Sequence, residues 1–144
     1  MTRIADELRV AVRERAARCC EYCRIPDRLH VGGFEVDHIV PVSRSGPTVL
    51  DNLAYACPHC NDRKWAHVDF PDPATGGTAP LFHPRQDRWE DHFEWSEAFG
   101  CEIGGKTPKG RATIACLQLN HPELAAIRRE LIKLGIPVTS HGNT

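Results

Sequence analysis

Four cysteines in two C-x2-C pairs carry the strongest chemical signal in the chain: Cys20 with Cys23 in "CEYC", and Cys57 with Cys60 in "CPHC". Two such knuckles offer four thiolates, the all-sulfur tetrahedral set of structural Zn²⁺, which is a closed site with no position for water or substrate. A redox dithiol and a set of inert buried thiols are the competing uses, and the doubling of the knuckle favours zinc. Cys19 offers a second register for the first knuckle, with three residues intervening. His59 lies inside the second knuckle and is expected to face elsewhere. Cys101 and Cys116 have no partner spacing and read as buried thiols.

Between the knuckles runs "FEVDHIVPVSRSG", where Asp37 and His38 sit side by side among residues suited to a buried strand. An unpartnered buried carboxylate is costly, so this placement asks for a partner. Further along come Asn52 in "LDNLAYAC" and then Asn61, Arg63 and Lys64 in "CNDRK". Each has an ordinary explanation alone: a surface ion pair or structural hydrogen bond for Asp37 and His38, a loop residue for Asn52, a polar helix residue for Asn61, and a solvated face for Arg63 and Lys64. Their joint arrangement around two knuckles argues for a site.

The elements that must position these residues follow from pattern. Ile4, Leu8 and Val12 recur every four residues, predicting a helix over about 4–18 that runs into the first knuckle. The β-branched run predicts a strand over 34–42, ended by the turn residues of "SRSGPT". Side chains alternate across a strand, so Asp37 and His38 converge on one phosphate only if the backbone bends or ends there; Pro41 is consistent with that. A short strand is expected over 53–56. Pro58, lacking an amide hydrogen, suits the first turn of a helix through "PHCNDRKWAH".

"VDFPDPATGGTAP", dense in Pro and Gly, reads as an exposed loop before a C-terminal part. Two strands are expected in "HFEWSEAFGCEIGGK", with Phe93 and Trp95 on one face. Thr107 and Pro108 make an N-cap and first-turn pair for the next helix. A last helix follows Asn120-His121-Pro122 and closes at Gly135. The whole of 1–144 is read as one domain: N-terminal helix about 4–18, zinc core about 19–67, and a strand and helix extension about 80–138.

Net charge is -1 and the pI about 6.7, so no global positive field recruits nucleic acid, and any such binding must come from a local basic face or a metal. Charged residues are 26% and the hydrophobic set 41%, a balance that argues against disorder. No apolar run has the length of a membrane span, and the N-terminus lacks a signal-peptide core, so a cytoplasmic protein without a membrane partner is expected. Seven cysteines without an export signal favour metal ligation over disulfides.

From about 20 to 64 the chain resembles the HNH endonucleases of the His-Me finger type, through "CEYC", "FEVDHIVPVSRSG", "LDNLAYACPHCN" and the following "RK". The resemblance implies an α+β fold: a small ββα-metal core stapled by a four-cysteine zinc site, with flanking helices. It implies an enzyme hydrolysing phosphodiester bonds in DNA, with RNA the open alternative. His38 would be the general base, since an imidazole with a pKa near about 6.5 accepts a proton from water near neutrality. Asn52 would orient that histidine and stabilise the loop. Asp37 and Asn61 would supply oxygens to a catalytic Mg²⁺ or another divalent cation. Many members carry histidine where this chain has Asn61, whose amide oxygen can still ligate.

Arg44, Arg63 and Lys64 are the candidate phosphate contacts, a kind of contact that positions a duplex without reading it. Arg9, Arg13 and Arg18, and later Lys106, Lys109 and Arg111, can extend that surface. Trp65, Trp89, Phe93 and Trp95 are expected in the core, with stacking on bases as the alternative. No base-reading helix and no oligomeric state can be read. The functional alternative is a zinc-dependent nucleic-acid-binding or interaction module without catalysis.

Overall fold

The first helix, α1, spans Asp6–Arg15 in the computed structural model, which describes residues 4–96, 101–136 and 138. It stops short of the expected 18 because Ala17 and Arg18 take φ of 55° and 60°, reversing the chain toward the first knuckle. Asp6 and Glu7 in its first turn and Arg13 and Arg15 in its last complement the helix dipole. Val12 and Ala16 are buried against Leu53 and Tyr55. Arg15 ties the helix down by donating to the carbonyls of Leu50 and Leu53, at 3.0 and 2.6 Å.

Leu53 and Tyr55 belong to a hairpin. β1, Glu35–His38, pairs antiparallel with β2, Leu53–Ala56, so that Asp37 stands opposite Ala54 and His38 opposite Leu53 across the ladder. β1 is shorter than the expected 34–42: the Ile39 amide goes to the Asn52 carbonyl and the Val40 amide to the Asn52 side chain, and Pro41 has no hydrogen to donate. β2 is buried throughout and matches its expected span.

α2, Pro58–Lys64, begins as its sequence implies, with Pro58 in the first turn and the Cys57 sulfur accepting from the Cys60 amide. It ends at Lys64, three residues before the expected His67, where the C-cap Trp65, at φ 43° and ψ -118°, turns the chain away.

The Pro/Gly-rich segment is not the loop expected. It forms a second hairpin, β3 (Asp69–Pro71) with β4 (Thr78–Pro80), whose turn is organised by a fully buried Asp72. The Asp72 carboxylate accepts from Arg111 Nε and Nη2, both at 2.9 Å, from the Ala74 amide and from the Thr75 hydroxyl. The fork from Arg111 lowers its pKa from the ordinary 3.8 to about 2. A carboxyl with a depressed folded pKa stabilises the fold above its unfolded pKa and loses that contribution as pH falls through the folded one. Stability is therefore expected to decline from about pH 4 toward pH 2 in part through Asp72, and Asp72→Asn should flatten that limb of a pH-dependent melting series. Arg111 is thereby held in this turn, its charge paired with Asp72.

The rest follows its local signals. α3 (Trp89–His92) leads into β5 (Phe93–Trp95), which pairs antiparallel with β6 (Ile103–Gly105). α4 (Pro108–Leu117) is capped by Thr107, whose hydroxyl accepts from the Gly110 amide at 3.0 Å. A Cβ on Gly110 would collide with the His92 carbonyl oxygen, so glycine lets α4 pack directly on α3. α5 (Pro122–Lys133) starts after His121, and the chain turns out of it at Gly135, with φ of 75°. One buried cluster joins the knuckles to Phe82, Trp89, Phe93, Ile103, Leu117 and Leu124, so the C-terminal elements share the core that houses the cysteines. Among the described residues no helix is long and apolar enough to cross a membrane.

Candidate metal centre and acid-imidazole site

Cys20, Cys23, Cys57 and Cys60 are all buried, and their four sulfurs lie within 4.8 Å of one another. A tetrahedron of Zn–S bonds of about 2.3 Å sets its sulfurs about 3.8 Å apart, and Cys23 and Cys57 stand at 3.6 Å. Backbone amides point at sulfur in both knuckles, Cys23 N to Cys20 Sγ and Cys60 N to Cys57 Sγ, each 3.4 Å. Burial pushes the Cys23 and Cys60 thiols well up, whereas Cys20, equally buried, is carried well below the ordinary value by hydrogen bonds from Cys23, Cys57 and Cys60; four thiolates together need a cation beside them. The donor set fits zinc. Cys20, rather than Cys19, supplies the first sulfur; Cys19 lies outside the group and bridges to Pro26. His59 faces away, its Nε2 2.9 Å from the carbonyls of Leu117 and Gln118 at the end of α4. Cys101 and Cys116 are buried.

The knuckles are wired to Asp37. Tyr22, inside the first, donates its hydroxyl to Asp37 Oδ2 at 3.0 Å, and Lys64, one turn past Cys60, places its ammonium 3.1 Å from the same oxygen. Lys64 is 1% exposed and also donates to the carbonyls of His38 and Ile39, at 3.3 and 2.9 Å. Lys64 is therefore not a surface phosphate contact, as its sequence context suggested: its charge is spent on a buried carboxylate and on the end of β1. Burial raises the Asp37 pKa, with Lys64 and Tyr22 opposing.

Alternation along β1 sends His38 to the face opposite Asp37. Its Nε2 lies 2.9 Å from the Thr48 hydroxyl, while Nδ1 has no partner among the described residues. Partial burial lowers the His38 pKa from the ordinary 6.5, Asp37 offsetting part of the shift. The ring is thus mainly neutral at pH 7. Thr48 carries no sequence signal for this role beyond standing in the turn after Gly46.

Asn52 reaches the loop rather than the histidine. Its Oδ1 accepts from Val40 N at 2.9 Å, and its Nδ2 donates to the carbonyls of Val40 and Pro47, at 3.0 and 2.9 Å. The loop closes so tightly that a Cβ on Gly46 would collide with the Val40 carbonyl oxygen. The loop-stabilising part of the expected Asn52 role has its contacts here, and orientation of the ring falls to Thr48. Asn52→Ala removes three bonds from a buried position and is expected to lower stability by about 1–3 kcal/mol in urea titration, with faster hydrogen exchange at the Val40 amide.

Asn61 is half-buried and its side-chain amide has no hydrogen-bond partner among the described residues, whereas Arg63 donates to the His59 carbonyl of its own helix at 3.3 Å. Arg44, in the 3-10 turn Val42–Arg44, is exposed and has no ion pair among the described residues. The expected divalent-cation pair is not assembled, because Asp37 already holds an ammonium and a cation there would have to displace it. In this arrangement Asp37 does not fit a divalent metal.

On the face of the hairpin that carries Val36 and Tyr55 lies a cleft of ≈ 1030 Å³, lined also by Arg9, Arg13, Arg18 and Arg28 but not by His38. Arg13 pairs with Asp27 at 2.7 Å, and Asp27 also accepts from the Tyr55 hydroxyl, at 2.6 Å. Arginine exceeds acid along this wall.

Two knuckles that enclose an antiparallel hairpin, followed by a helix starting at the second knuckle, define a mixed α+β module consistent with a small ββα-metal core. The family model of the HNH endonucleases matches residues 20–66, which contain all four sulfurs, the hairpin and α2. That family is one of nucleases, which generally act on nucleic acids with a divalent metal. No curated protein and no solved structure matches the chain.

Proposed function

We propose that the protein is an endonuclease that hydrolyses phosphodiester bonds in DNA, with His38 taking the proton from the attacking water. The observation that carries this reading is the placement of His38: an imidazole at the end of β1, its Nε2 against the Thr48 hydroxyl, its Nδ1 without a partner among the described residues, and its pKa lowered by burial. A general base must be unprotonated and positioned, and the lowered pKa and the Thr48 contact support His38 in that role. The arginines of α1 and Arg44 supply the local positive surface that a chain of net charge -1 otherwise lacks. Zinc has the structural role of tying α2 to the end of the first knuckle. A divalent cation is expected of an HNH nuclease, and because Asp37 as arranged holds Lys64 rather than a metal, omission of the cation from the reaction decides whether cleavage here needs one.

The Asp37–Lys64 ion pair favours a second reading, a nucleic-acid-binding module without catalysis. Plasmid nicking with Mg²⁺ or Mn²⁺ separates the two. Cleavage that disappears in His38→Ala supports the enzyme, and duplex binding with no cleavage in the wild-type protein supports the module.

A further inference from the structure

Trp65 does not pack in the core as its sequence suggested. It is 77% exposed, while Trp89 is buried at 2%. Tryptophan is highly buried on average, so an exposure this large sets the ring apart. Its backbone, at φ 43° and ψ -118°, is one that residues other than glycine rarely adopt, and such strain gathers at functional positions. Local stability alone would favour glycine at this turn. A bulky ring left mostly exposed on strained backbone asks for an occupant.

Its surroundings say which. Trp65 follows Lys64, whose ammonium binds Asp37 and the His38 carbonyl. Its ring meets His67 edge-on at 6.2 Å, and His67 meets Phe70 edge-on at 5.6 Å. His67 in turn lines a small pocket with Ile39 and Val40, the residues that follow His38. The Trp65–His67 pair at the end of α2 therefore shares a pocket wall with the residues that follow His38. Aromatic rings next to nucleic-acid sites stack on bases, and a ring can stack only on a base face that its own strand leaves open.

We propose that Trp65 is a base-stacking residue and that the preferred substrate presents an unpaired base, as single-stranded or locally opened DNA does. This rests on the nucleic-acid reading above and narrows its substrate class. Trp65 is the most exposed of the three tryptophans, so its emission reports the contact.

The experiment titrates the His38→Ala protein, in which cleavage is suppressed, with a single-stranded DNA oligonucleotide and with a blunt duplex of the same sequence. Emission should be quenched by the single strand well before the duplex. In Trp65→Leu the quenching should vanish and single-strand affinity fall roughly 5- to 150-fold, with Trp65→Phe retaining most of it. Trp65→Gly should bind as weakly as Trp65→Leu yet melt no lower than the parent, a combination that a merely structural tryptophan does not produce. Unchanged single-strand affinity in both Trp65→Leu and Trp65→Gly, or quenching that persists without Trp65, overturns the proposal. The nuclease reading is scored separately by plasmid nicking: nicking with no Trp65-dependent binding overturns the stacking role alone, and Trp65-dependent binding without nicking overturns the nuclease alone.

Discussion

Stripping zinc with a chelator, or replacing Cys60 by alanine, is expected to unfold the protein. The four sulfurs lie at the centre of the buried cluster, where Tyr22, Trp89, Phe93 and Leu117 meet. Structural zinc contributes about 10–16 kcal/mol of apparent binding free energy in small domains, as large as the whole stability of about 5–15 kcal/mol typical of a domain. Loss of the ion also leaves four buried thiols and removes the anchor that presents Tyr22 and Lys64 to Asp37. Far-ultraviolet circular dichroism should collapse on chelation and recover on adding zinc, and elemental analysis should find one zinc per chain. A metal-free protein with an unchanged melting curve would sink the assignment, and iron with a visible absorption band would replace zinc by a redox centre.

His38→Ala is expected to reduce cleavage by about 10²–10⁴-fold, the contribution of a positioned general base, while leaving the fold intact. The ring is half-buried, and its one side-chain partner is Thr48, so little packing is lost. The pH profile gives an independent check. A base must be deprotonated, so the rate should fall as pH drops through the His38 pKa. Burial lowers that pKa, so the acid limb should lie below the ordinary imidazole value of 6.5. Retained cleavage in His38→Ala, or an acid limb above that value, would remove His38 from the mechanism.

What could be read in the sequence was what depends on neighbours along the chain. Pro58 behind Cys57, Pro108 behind Thr107, and Gly135 past α5 act through caps closed within four residues, and each stands where expected. The thiolate set was legible because ligand spacing is itself local to each knuckle. Three other features depend on remote partners. The hairpin of β3 and β4 hides in Pro/Gly-rich sequence because Arg111, on α4, organises its turn. Lys64 reads as a surface charge until the fold brings Asp37 to it. Thr48 becomes a partner of His38 only once Asn52 and Gly46 have closed the loop. Trp65 resembles any core aromatic in sequence, and only the early end of α2 puts it in solvent.

Arg128 carries a consequence for how the chain is made. Fully buried on α5, it donates to the carbonyls of Cys101 and Cys23, at 3.0 and 3.3 Å. At synthesis rates of about 5–20 residues per second, the 105 residues between Cys23 and Arg128 take roughly 5–20 s to appear. Both knuckles emerge long before that, so a nascent chain can capture its ion while the carbonyl of its second ligand still awaits its donor. Docking of α5 onto the first knuckle is then a late event, one that the appearance of both knuckles precedes.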